Sequence, residues 1–393
     1  MTSVSQAPGS HVLRIQCHGF ATALKIAPRT VCIQIGGVDV CRRRPLQGRE
    51  VQGMTSGTAA LCLGPGGSGG FTVRQFTKRR PAADEIEVAV TAASVNPIDV
   101  RRSEGYGRKL LSLIGAGTFP LVLGNDFAGT VTAVGSRVAT FKIGDRVYGV
   151  KPASTEGTHA SHVLVKAVHV LAVPEGLDLH PLAAIPYSFT TMWLAVRGAG
   201  LTRENAPGKN VLVHGAAGGL GTLATQMLSA WGARVTAIAR RSNSKVCLEA
   251  GATEVVEQTD KLFGSLGRTF DATLNFATWE DDLALLGCLR DGALGHATTV
   301  HPMLGNFDRL GWLRGMLKTI SQKKHHRRAL PKGASNYAWV LFKPHKAALD
   351  DLRQFVGHNH VSLPIGLCKP LAAAGVAFDH VRKRQPGRVL LLP

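Results

Sequence analysis

The sequence lacks paired cysteines and clusters of metal-binding cysteines. Seven cysteines, an odd number with no C-x-x-C pair, stand at positions 17, 32, 41, 62, 247, 288 and 368. Disulfide-stapled domains and structural zinc sites depend on such pairs. We therefore predict neither a disulfide nor a bound metal, and a reducing compartment. The thiols are expected to be small packing residues or to lie at the surface.

Long hydrophobic runs are also absent. No stretch approaches the roughly 18 consecutive apolar residues that a membrane-spanning helix needs. The 393 residues are 45% hydrophobic with a mean hydropathy of +0.07, which is typical of a globular protein. This length exceeds one ordinary domain, so we expect a soluble protein of two domains without a transmembrane segment.

Acidic residues are few: 26 Asp and Glu stand against 46 Lys and Arg, which gives a formal net charge of +20. Such a field attracts nucleic acid or an anionic membrane surface without specificity. The basic residues form short runs without interleaved aromatics, for example Lys323–Lys324 and Arg382–Arg384. We therefore expect a solvated basic surface and no specific nucleic-acid partner; phosphate groups of a cofactor are the remaining use for some of this charge.

The chain divides into four segments. Residues 1–53 carry no clear alternation or helical stripe, and we expect a poorly ordered extension that is either a basic targeting segment or lies upstream of the biological start at Met54. Residues 54–180 contain short strands, such as GFTVRQF and EIEVAVTAASV, typical of a barrel-like β domain. Residues 181–344 alternate strand and helix, which indicates a parallel α/β domain. Residues 345–393 contain the helical stretch KAALDDLRQFV and end in the strand RVLLL, which is expected to complete the first domain.

The most informative segment is KNVLVHGAAGGLGTLATQMLSAWGARVTAIARRS. An apolar strand enters a glycine-rich turn with Ala216, Gly218 and Gly221 in a G-x-G-x-x-G frame. A helix follows with one apolar stripe, formed by Leu220, Leu223, Ala224, Met227, Leu228 and Trp231. The absent side chain of Gly218 lets backbone approach a pyrophosphate, and Gly221 lets helix and strand pack closely. Strand, turn, helix and second strand together predict dinucleotide binding.

The residues after the second strand predict which dinucleotide is bound. An NAD site usually has Asp or Glu about 20 residues beyond the glycines. Arg240 and Arg241 stand there instead, with Ser242 and Lys245 nearby. A guanidinium suits a 2′-phosphate, so we predict NADPH. The alternative is a solvated pair of charges at the end of a strand.

These motifs resemble the nucleotide-binding core of zinc-free quinone oxidoreductases of the medium-chain dehydrogenase/reductase superfamily. AASVNPIDVRRSEGYG, FPLVLGNDFAGTVTAVG, FKIGDRVYGV and GNFDRLGWLRGMLKT are most similar to the reticulon-4-interacting protein branch. The resemblance covers about residues 70–393. It implies an α/β protein with a GroES-like β-barrel catalytic domain (54–180, completed by 345–393) and a doubly wound Rossmann domain (181–344), with the site in the cleft between them.

The resemblance also implies site residues. Asn96 in SVNPID is expected near the nicotinamide as an orienting residue, and Tyr106 is a candidate hydrogen-bond or proton donor, the alternative being an exposed loop tyrosine. The expected cofactor-binding residues are Asn96, Thr191, Ala217, Gly218, Gly219, Leu220, Gly221, Arg240, Arg241, Lys245, Asn275, Thr299, Val340, Phe342, Arg384, Gln385 and Pro386. In the last stretch, QPGR departs from the usual sequence of the relatives.

Both metal signatures of the zinc-dependent relatives are missing. Asn96 replaces their catalytic cysteine, and Gly124, Asn125 and Asp126 replace their Gly-His-Glu. His159 and His162 alone are interpreted as structural. The resemblance therefore implies a zinc-independent reductase.

We expect hydride transfer from NADPH to a quinone or enone, because conjugation spreads the developing negative charge and reduces the need for a metal. Two other classes stay open: a nucleotide-binding regulatory or structural protein without turnover, and a polyanion-binding module. The physiological acceptor and the oligomeric state, with a homodimer as one option, are not determined by the sequence. A cytoplasmic enzyme is the first expectation, and the mitochondrial matrix is the alternative.

Overall fold

The computed structural model describes residues 56–66, 70–154, 156–259, 262–358, 361 and 363–393, together with the backbone of four strands between residues 11 and 43. Those four strands form a separate antiparallel sheet in the order β1-β2-β3-β4. They are β1 (His11–Cys17), β2 (Phe20–Ala27), β3 (Thr30–Ile35) and β4 (Val38–Arg43). The sequence pattern of this segment shows no clear alternation that would indicate these strands.

The first domain is built from β strands in two sheets. Its strands are β5 (Ser56–Cys62), β6 (Phe71–Thr77), β7 (Glu85–Val95), β8 (Leu121–Val122), β9 (Asp126–Val134), β10 (Arg146–Val150), β11 (His162–Lys166) and β12 (Val170–Ala172). Between them lie the helices α1 (Pro97–Ser103), α2 (Arg108–Ser112) and α3 (Leu179–Leu182). The strands predicted in GFTVRQF and EIEVAVTAASV are thus both present.

Strand β5 was not foreseen. We expected the strand pattern to begin near Phe71, but β5 pairs with β6 and β8, and Ala60 and Cys62 on it are buried. Close packing accounts for Gly57 on this strand, because a Cβ there would lie 2.7 Å from the ring of Phe76.

The second domain carries a six-stranded parallel sheet in the order β15-β14-β13-β16-β17-β18. Its strands are β13 (Asn210–His214), β14 (Arg234–Ala239), β15 (Glu254–Glu257), β16 (Ala272–Asn275), β17 (Gly295–Thr298) and β18 (Asn336–Trp339). The helices are α4 (Pro186–Gly198), α5 (Gly219–Ala230), α6 (Ser244–Glu249), α7 (Leu262–Leu266), α8 (Asp282–Gly287) and α9 (Met303–Arg328).

The C-terminal elements return to the first domain. They are α10 (Lys346–His358), β19 (Ile365–Pro370), α11 (Ala374–Arg382) and β20 (Arg388–Leu392). Strand β20 pairs antiparallel with β7, and Val389 lies opposite Val95. The main sheet of the first domain therefore runs β12-β10-β9-β7-β20-β19, with β11 also paired to β7.

One apolar core joins the two domains. Helix α4 is buried on almost every side, and Phe189 and Met192 on it pack in the same cluster as Tyr148 of the first domain and Leu223 of the second. The predicted α/β class is confirmed: a β-strand domain and a parallel-sheet domain meet along this helix. Among the residues that the structure describes, no helix is both long and apolar enough to cross a bilayer.

Candidate functional site

The glycine-rich turn joins β13 to α5. Gly215 has φ +79°, a left-handed conformation that favours glycine. A Cβ on Gly221 would lie 2.2 Å from the carbonyl oxygen of Gly215 and 2.5 Å from Cα of Ala216, so only glycine allows helix and turn to approach this closely. A Cβ on Gly218 would meet only the Gly215 oxygen, at 3.3 Å. The packing of the protein itself therefore restricts residue 218 far less than residue 221.

Helix α5 packs with the predicted stripe. Leu223, Ala224, Met227 and Leu228 are buried, and Leu220 and Trp231 are partly buried against the same core. The chain adds strands outward from β13 in one direction and from β16 in the other, so the point where the strand order reverses lies between these two neighbouring strands. Dinucleotides bind outside the carboxyl ends of the strands at such a point. Ala217, Gly218, Gly219, Leu220 and Gly221 all lie at this edge.

Arg240 and Arg241 directly follow β14, at the same edge of the sheet. Both are exposed, and neither guanidinium group has a hydrogen-bond or ion-pair partner among the described residues. Lys245, one turn further on, is 86% exposed and lies 3.8 Å from Glu249. Two unpaired guanidinium groups thus stand where the adenosine ribose of a dinucleotide would be expected.

On the first domain, Asn96 begins helix α1 and is fully buried. Its Nδ2 donates to Ser94 Oγ at 3.0 Å and to Asp126 Oδ1 at 3.2 Å. Ser94 Oγ in turn donates to Asp126 Oδ1 at 2.5 Å. Asp99 ties this group to the next loop by accepting from the backbone N–H of Asn96 and of Gly124. The orientation of Asn96 is therefore fixed from several sides.

Arg388 completes this cluster, and the sequence analysis did not identify it. Its Nη2 donates to Asn96 Oδ1 at 2.5 Å and more weakly to Ala184 O at 3.4 Å. A Cβ on Gly219 would lie only 2.9 Å from its Nη1, so the guanidinium lies against the glycine turn. Its Nε is buried without a partner. A single cation thus joins the buried cluster of the first domain to the N-terminus of α5.

The cluster contains charged groups that are buried from solvent. Burial raises the pKa of Asp126 to about 7, and the charge of Arg388 opposes that rise. Burial lowers the pKa of Arg388, while Asp126 and Asp99 raise it. The guanidinium and the carboxylates therefore support each other's charged forms, and the cleft keeps a positive group.

Tyr106 is half-buried and not the exposed loop residue that we kept as an alternative. The guanidinium carbon of Arg101 lies 3.5 Å from the ring centroid, and the ring faces Gly305 of α9. Burial raises its pKa above the ordinary value. The hydroxyl therefore stays protonated and able to donate.

Three of the expected cofactor contacts form hydrogen bonds within the protein. Thr191 is buried on α4 and donates to Tyr187 O at 2.8 Å. The amide of Asn275, at the end of β16, donates to Thr278 O and Asp282 and accepts from the N–H of Ala277. The N–H of Thr299 donates to Asn275 O at 3.1 Å. Asn275 thus shapes the loop beyond β16, and direct contact of its side chain with a nicotinamide remains a prediction.

The remaining candidates lie in two places. Val340 and Phe342 follow β18 at the carboxyl edge of the sheet, and the Phe342 ring packs 4.4 Å from that of Tyr187. Arg384, Gln385 and Pro386 are exposed in the turn between α11 and β20. Within the described residues it is Arg388, two positions later, that reaches the glycine turn. The backbone register of β20 with β7 determines this, and the local sequence gives no sign of it.

The two histidines of GTHASHVL have structural partners. His159 is buried with Nε2 2.9 Å from Ser94 O, and His162 Nδ1 lies 3.1 Å from Ser161 Oγ. Among the described residues no group of three or more His, Cys, Asp or Glu has a metal-binding arrangement. In the same part of the chain Cys62, Cys247 and Cys288 are buried and Cys368 is exposed.

The chain is similar to known oxidoreductases in sequence. A family model described as the alcohol dehydrogenase GroES-like domain matches residues 82–175. The human protein named "NAD(P)H oxidoreductase RTN4IP1, mitochondrial" is 33% identical over 319 residues, which cover 76% of this chain and 79% of that one. Its counterpart from Danio rerio is 34% identical over 317 residues, covering 76% and 81%.

Solved structures share the fold. The quinone oxidoreductase from Coxiella burnetii aligns with a TM-score of 0.71 at 21% identity, covering 86% of this chain and 100% of that one. The CurK enoyl reductase aligns with a TM-score of 0.70 at 21% identity, covering 85% and 99%. At these identities the likeness bears on the fold alone.

Proposed function

The chain belongs to the RTN4IP1 branch of the medium-chain dehydrogenase/reductases and is an NAD(P)H-dependent oxidoreductase, and from this premise we propose that it reduces a quinone or an α,β-unsaturated carbonyl with NADPH and without zinc. The observation that carries the proposal is the position of Arg388. This cation lies between the glycine turn and the Asn96–Asp126 cluster, in the cleft where both halves of the reaction would meet.

The residues present fit a dinucleotide. The space beside Gly218 and the buried, unpartnered Nε of Arg388 suit an anionic group at the N-terminus of α5. Arg240 and Arg241 support NADPH over NADH, because no acidic residue follows β14 before Glu249 to accept from ribose hydroxyls.

When bound, the nicotinamide supplies a hydride from its C4. The contribution of the chain is orientation and charge. Asn96, fixed by Ser94 and Asp126, presents a rigid amide, and the protonated hydroxyl of Tyr106 is available as a donor. Donors of this kind stabilise negative charge that develops on an acceptor oxygen. A quinone or enone spreads that charge by conjugation, so hydrogen bonds suffice, and solvent completes protonation.

The same cluster argues against zinc. Asn96 and Asn125 offer amides where zinc-dependent relatives have a thiolate and an imidazole, and the Asn125 amide is occupied by donating to Lys151 O at 3.0 Å. Arg388 places a positive charge 2.5 Å from the oxygen of Asn96. A divalent cation in that position would meet electrostatic repulsion and poor ligands.

The names of the RTN4IP1 proteins place them in mitochondria. Nothing in them supports the cytoplasmic location that the sequence analysis put first. We therefore propose a mitochondrial location for this chain, which corresponds to the alternative stated above.

The test is turnover with purified full-length protein. NADPH and NADH oxidation at 340 nm is followed with a panel of quinones, enones, saturated ketones and alcohols. We expect turnover with NADPH and a quinone or enone, little with NADH or the saturated compounds, and no effect of EDTA. Calorimetric binding of NADPH is measured in parallel. Binding without turnover on any acceptor, or activity lost in EDTA and restored by zinc, would contradict the proposal.

A further inference from the structure

Helix α9 exposes an unusual number of large apolar side chains. Trp312, Leu313, Met316, Leu317 and Ile320 are between 42% and 67% exposed. Their spacing of three and four residues puts them on one face of the helix. This α9 patch is larger than the scattered apolar residues that ordinary surfaces carry, and such patches mark interaction sites.

The fold itself directs the patch outward. Gly311, with φ +77° and ψ −174°, breaks α9 into two segments. They pack against each other where Gly315 approaches the backbone of Asn306 and Phe307. Asn306 Nδ2 also donates to Thr319 Oγ1 and Gln322 Oε1 of the second segment. The polar and small side of the second segment is therefore the buried side, and its apolar side faces away from the protein.

Basic residues surround the α9 patch. Arg314 and Lys318 lie within its turns, and Lys324, Arg327 and Arg328 follow it; all five are exposed. No acidic residue occurs between Asp308 and Asp350. The charged residues of α9 within and after the apolar face are thus all basic.

This charge selects among the occupants that an apolar face can have. A second copy of the chain, related by a twofold axis, would bring the same basic residues together, and their charges would repel each other. An anionic bilayer instead offers acyl chains to the leucines, phosphates to the basic residues, and an interfacial environment that tryptophan prefers. We propose that the α9 patch docks the protein peripherally on an anionic lipid membrane.

The docked orientation would bring the Tyr106 loop near the bilayer. Asp308, in the first segment of α9, accepts from the backbone N–H of Gly107 and of Lys109 at 2.5 and 3.0 Å. The loop and the helix are therefore fixed to each other. The docking proposal does not depend on the identity of the reductase substrate.

The experiment is co-sedimentation of the full-length protein with phosphatidylcholine vesicles, with and without phosphatidylglycerol. We expect binding to the anionic vesicles and little binding to phosphatidylcholine alone. The variant Leu313→Glu/Leu317→Glu should bind at least about tenfold more weakly, because two charges replace the inserted side chains. Ile143→Glu is the matched control, since Ile143 is as exposed as Leu313, 67% for each, and lies in the first domain.

A second pair of variants separates local charge from the overall charge of +20. Removing the three basic residues after the patch should weaken binding by about fivefold for each residue, whereas removing three exposed basic residues elsewhere should have a much smaller effect. The test variant is Lys324→Gln/Arg327→Gln/Arg328→Gln, and the control is Arg137→Gln/Lys142→Gln/Arg203→Gln. Unchanged thermal melting temperature and NADPH affinity show that the variants are folded.

Three outcomes would overturn the proposal. The wild type fails to bind anionic vesicles, the Leu313/Leu317 variant binds as well as Ile143→Glu, or light scattering shows a dimer that only the Leu313/Leu317 variant loses. The last result would assign the patch to a second copy. A vesicle-induced blue shift of tryptophan fluorescence that disappears in Trp312→Phe would support insertion of the patch.

Discussion

Replacing Arg240 and Arg241 with alanine tests how the chain distinguishes NADPH from NADH. Both guanidinium groups follow β14 at the carboxyl edge of the parallel sheet, and within the described residues neither has a partner to lose. The replacement should therefore leave the thermal stability almost unchanged. Its effect should appear only when a ligand brings a phosphate to this position.

The size of the effect follows from the exposure of the two side chains. A charge-assisted hydrogen bond in a partly desolvated site contributes about 1.5 to 3 kcal/mol. Arg240 and Arg241 are exposed, so solvent screening reduces this toward the lower end. We therefore expect about 1.4 kcal/mol, which is about a tenfold rise in the KM for NADPH. The KM for NADH should barely move, since NADH has no phosphate there.

The assay is kcat/KM for both cofactors with one active quinone or enone. The value of kcat should change little, because the adenosine end lies far from the transferred hydride. Arg240→Asp should reverse part of the preference, since a carboxylate repels the phosphate and accepts from free ribose hydroxyls. Arg234→Ala is the control: Arg234 begins the same strand at the opposite edge of the sheet, where it donates to Asn210.

Equal losses with NADPH and NADH, or no loss with either, would refute this reasoning. Either result would make the two arginines a solvated surface pair. The assignment of NADPH would then have no support from this position.

Four further predictions concern the site and the fold. Arg388→Met should lower the free energy of unfolding by about 1.5 to 3 kcal/mol, measured by urea titration, and should weaken NADPH and NADH binding alike, measured by calorimetry. A fully stable variant with wild-type affinity would contradict the role of this cation. Gly221→Ala should lower the free energy of unfolding by about 1 to 3 kcal/mol because its Cβ meets backbone atoms. Gly218→Ala should keep the melting temperature and raise the KM of both cofactors, and equal changes of melting temperature and KM in the two variants would contradict the assignment of the turn. A chain starting at Met54 should fold and bind NADPH like the full chain, whereas one starting at Phe71, which lacks β5, should not fold. Circular dichroism and calorimetry test both, and loss of cooperative unfolding in the chain that starts at Met54 would show that the first 53 residues belong to the fold. EDTA treatment should leave the melting temperature and the rate unchanged, and a drop in either that zinc restores would establish a metal site.

The glycine turn and the helix after it could be predicted because their determinants are local. The apolar residues of α5 recur with the period of a helix, and Gly218 and Gly221 stand at fixed offsets from the end of β13. The same locality made Arg240 and Arg241 visible, because they are the first residues after the next strand. The parallel sheet followed from the alternation of these units.

Features that depend on distant residues could not be predicted in this way. Arg388 belongs to the site only because β20 pairs with β7 in a register that places it beside Asn96. Strand β5 resembles a loop in composition, and the need for Gly57 arises from the ring of Phe76 on the paired strand β6. The reversal of α9 at Gly311 likewise depends on contacts between its two segments, such as the hydrogen bond from Asn306 to Thr319.

The position of β20 has a consequence for synthesis on the ribosome. This strand comes last among those described, and it covers an edge of β7, a strand that is made almost three hundred residues earlier. Until it arrives, the nascent chain exposes that edge of β7 to other chains. Premature termination just before codon 388 should therefore yield an aggregating polypeptide that has a complete glycine turn but lacks β20 and Arg388, and proteolytic removal of this product in cells is the expected outcome.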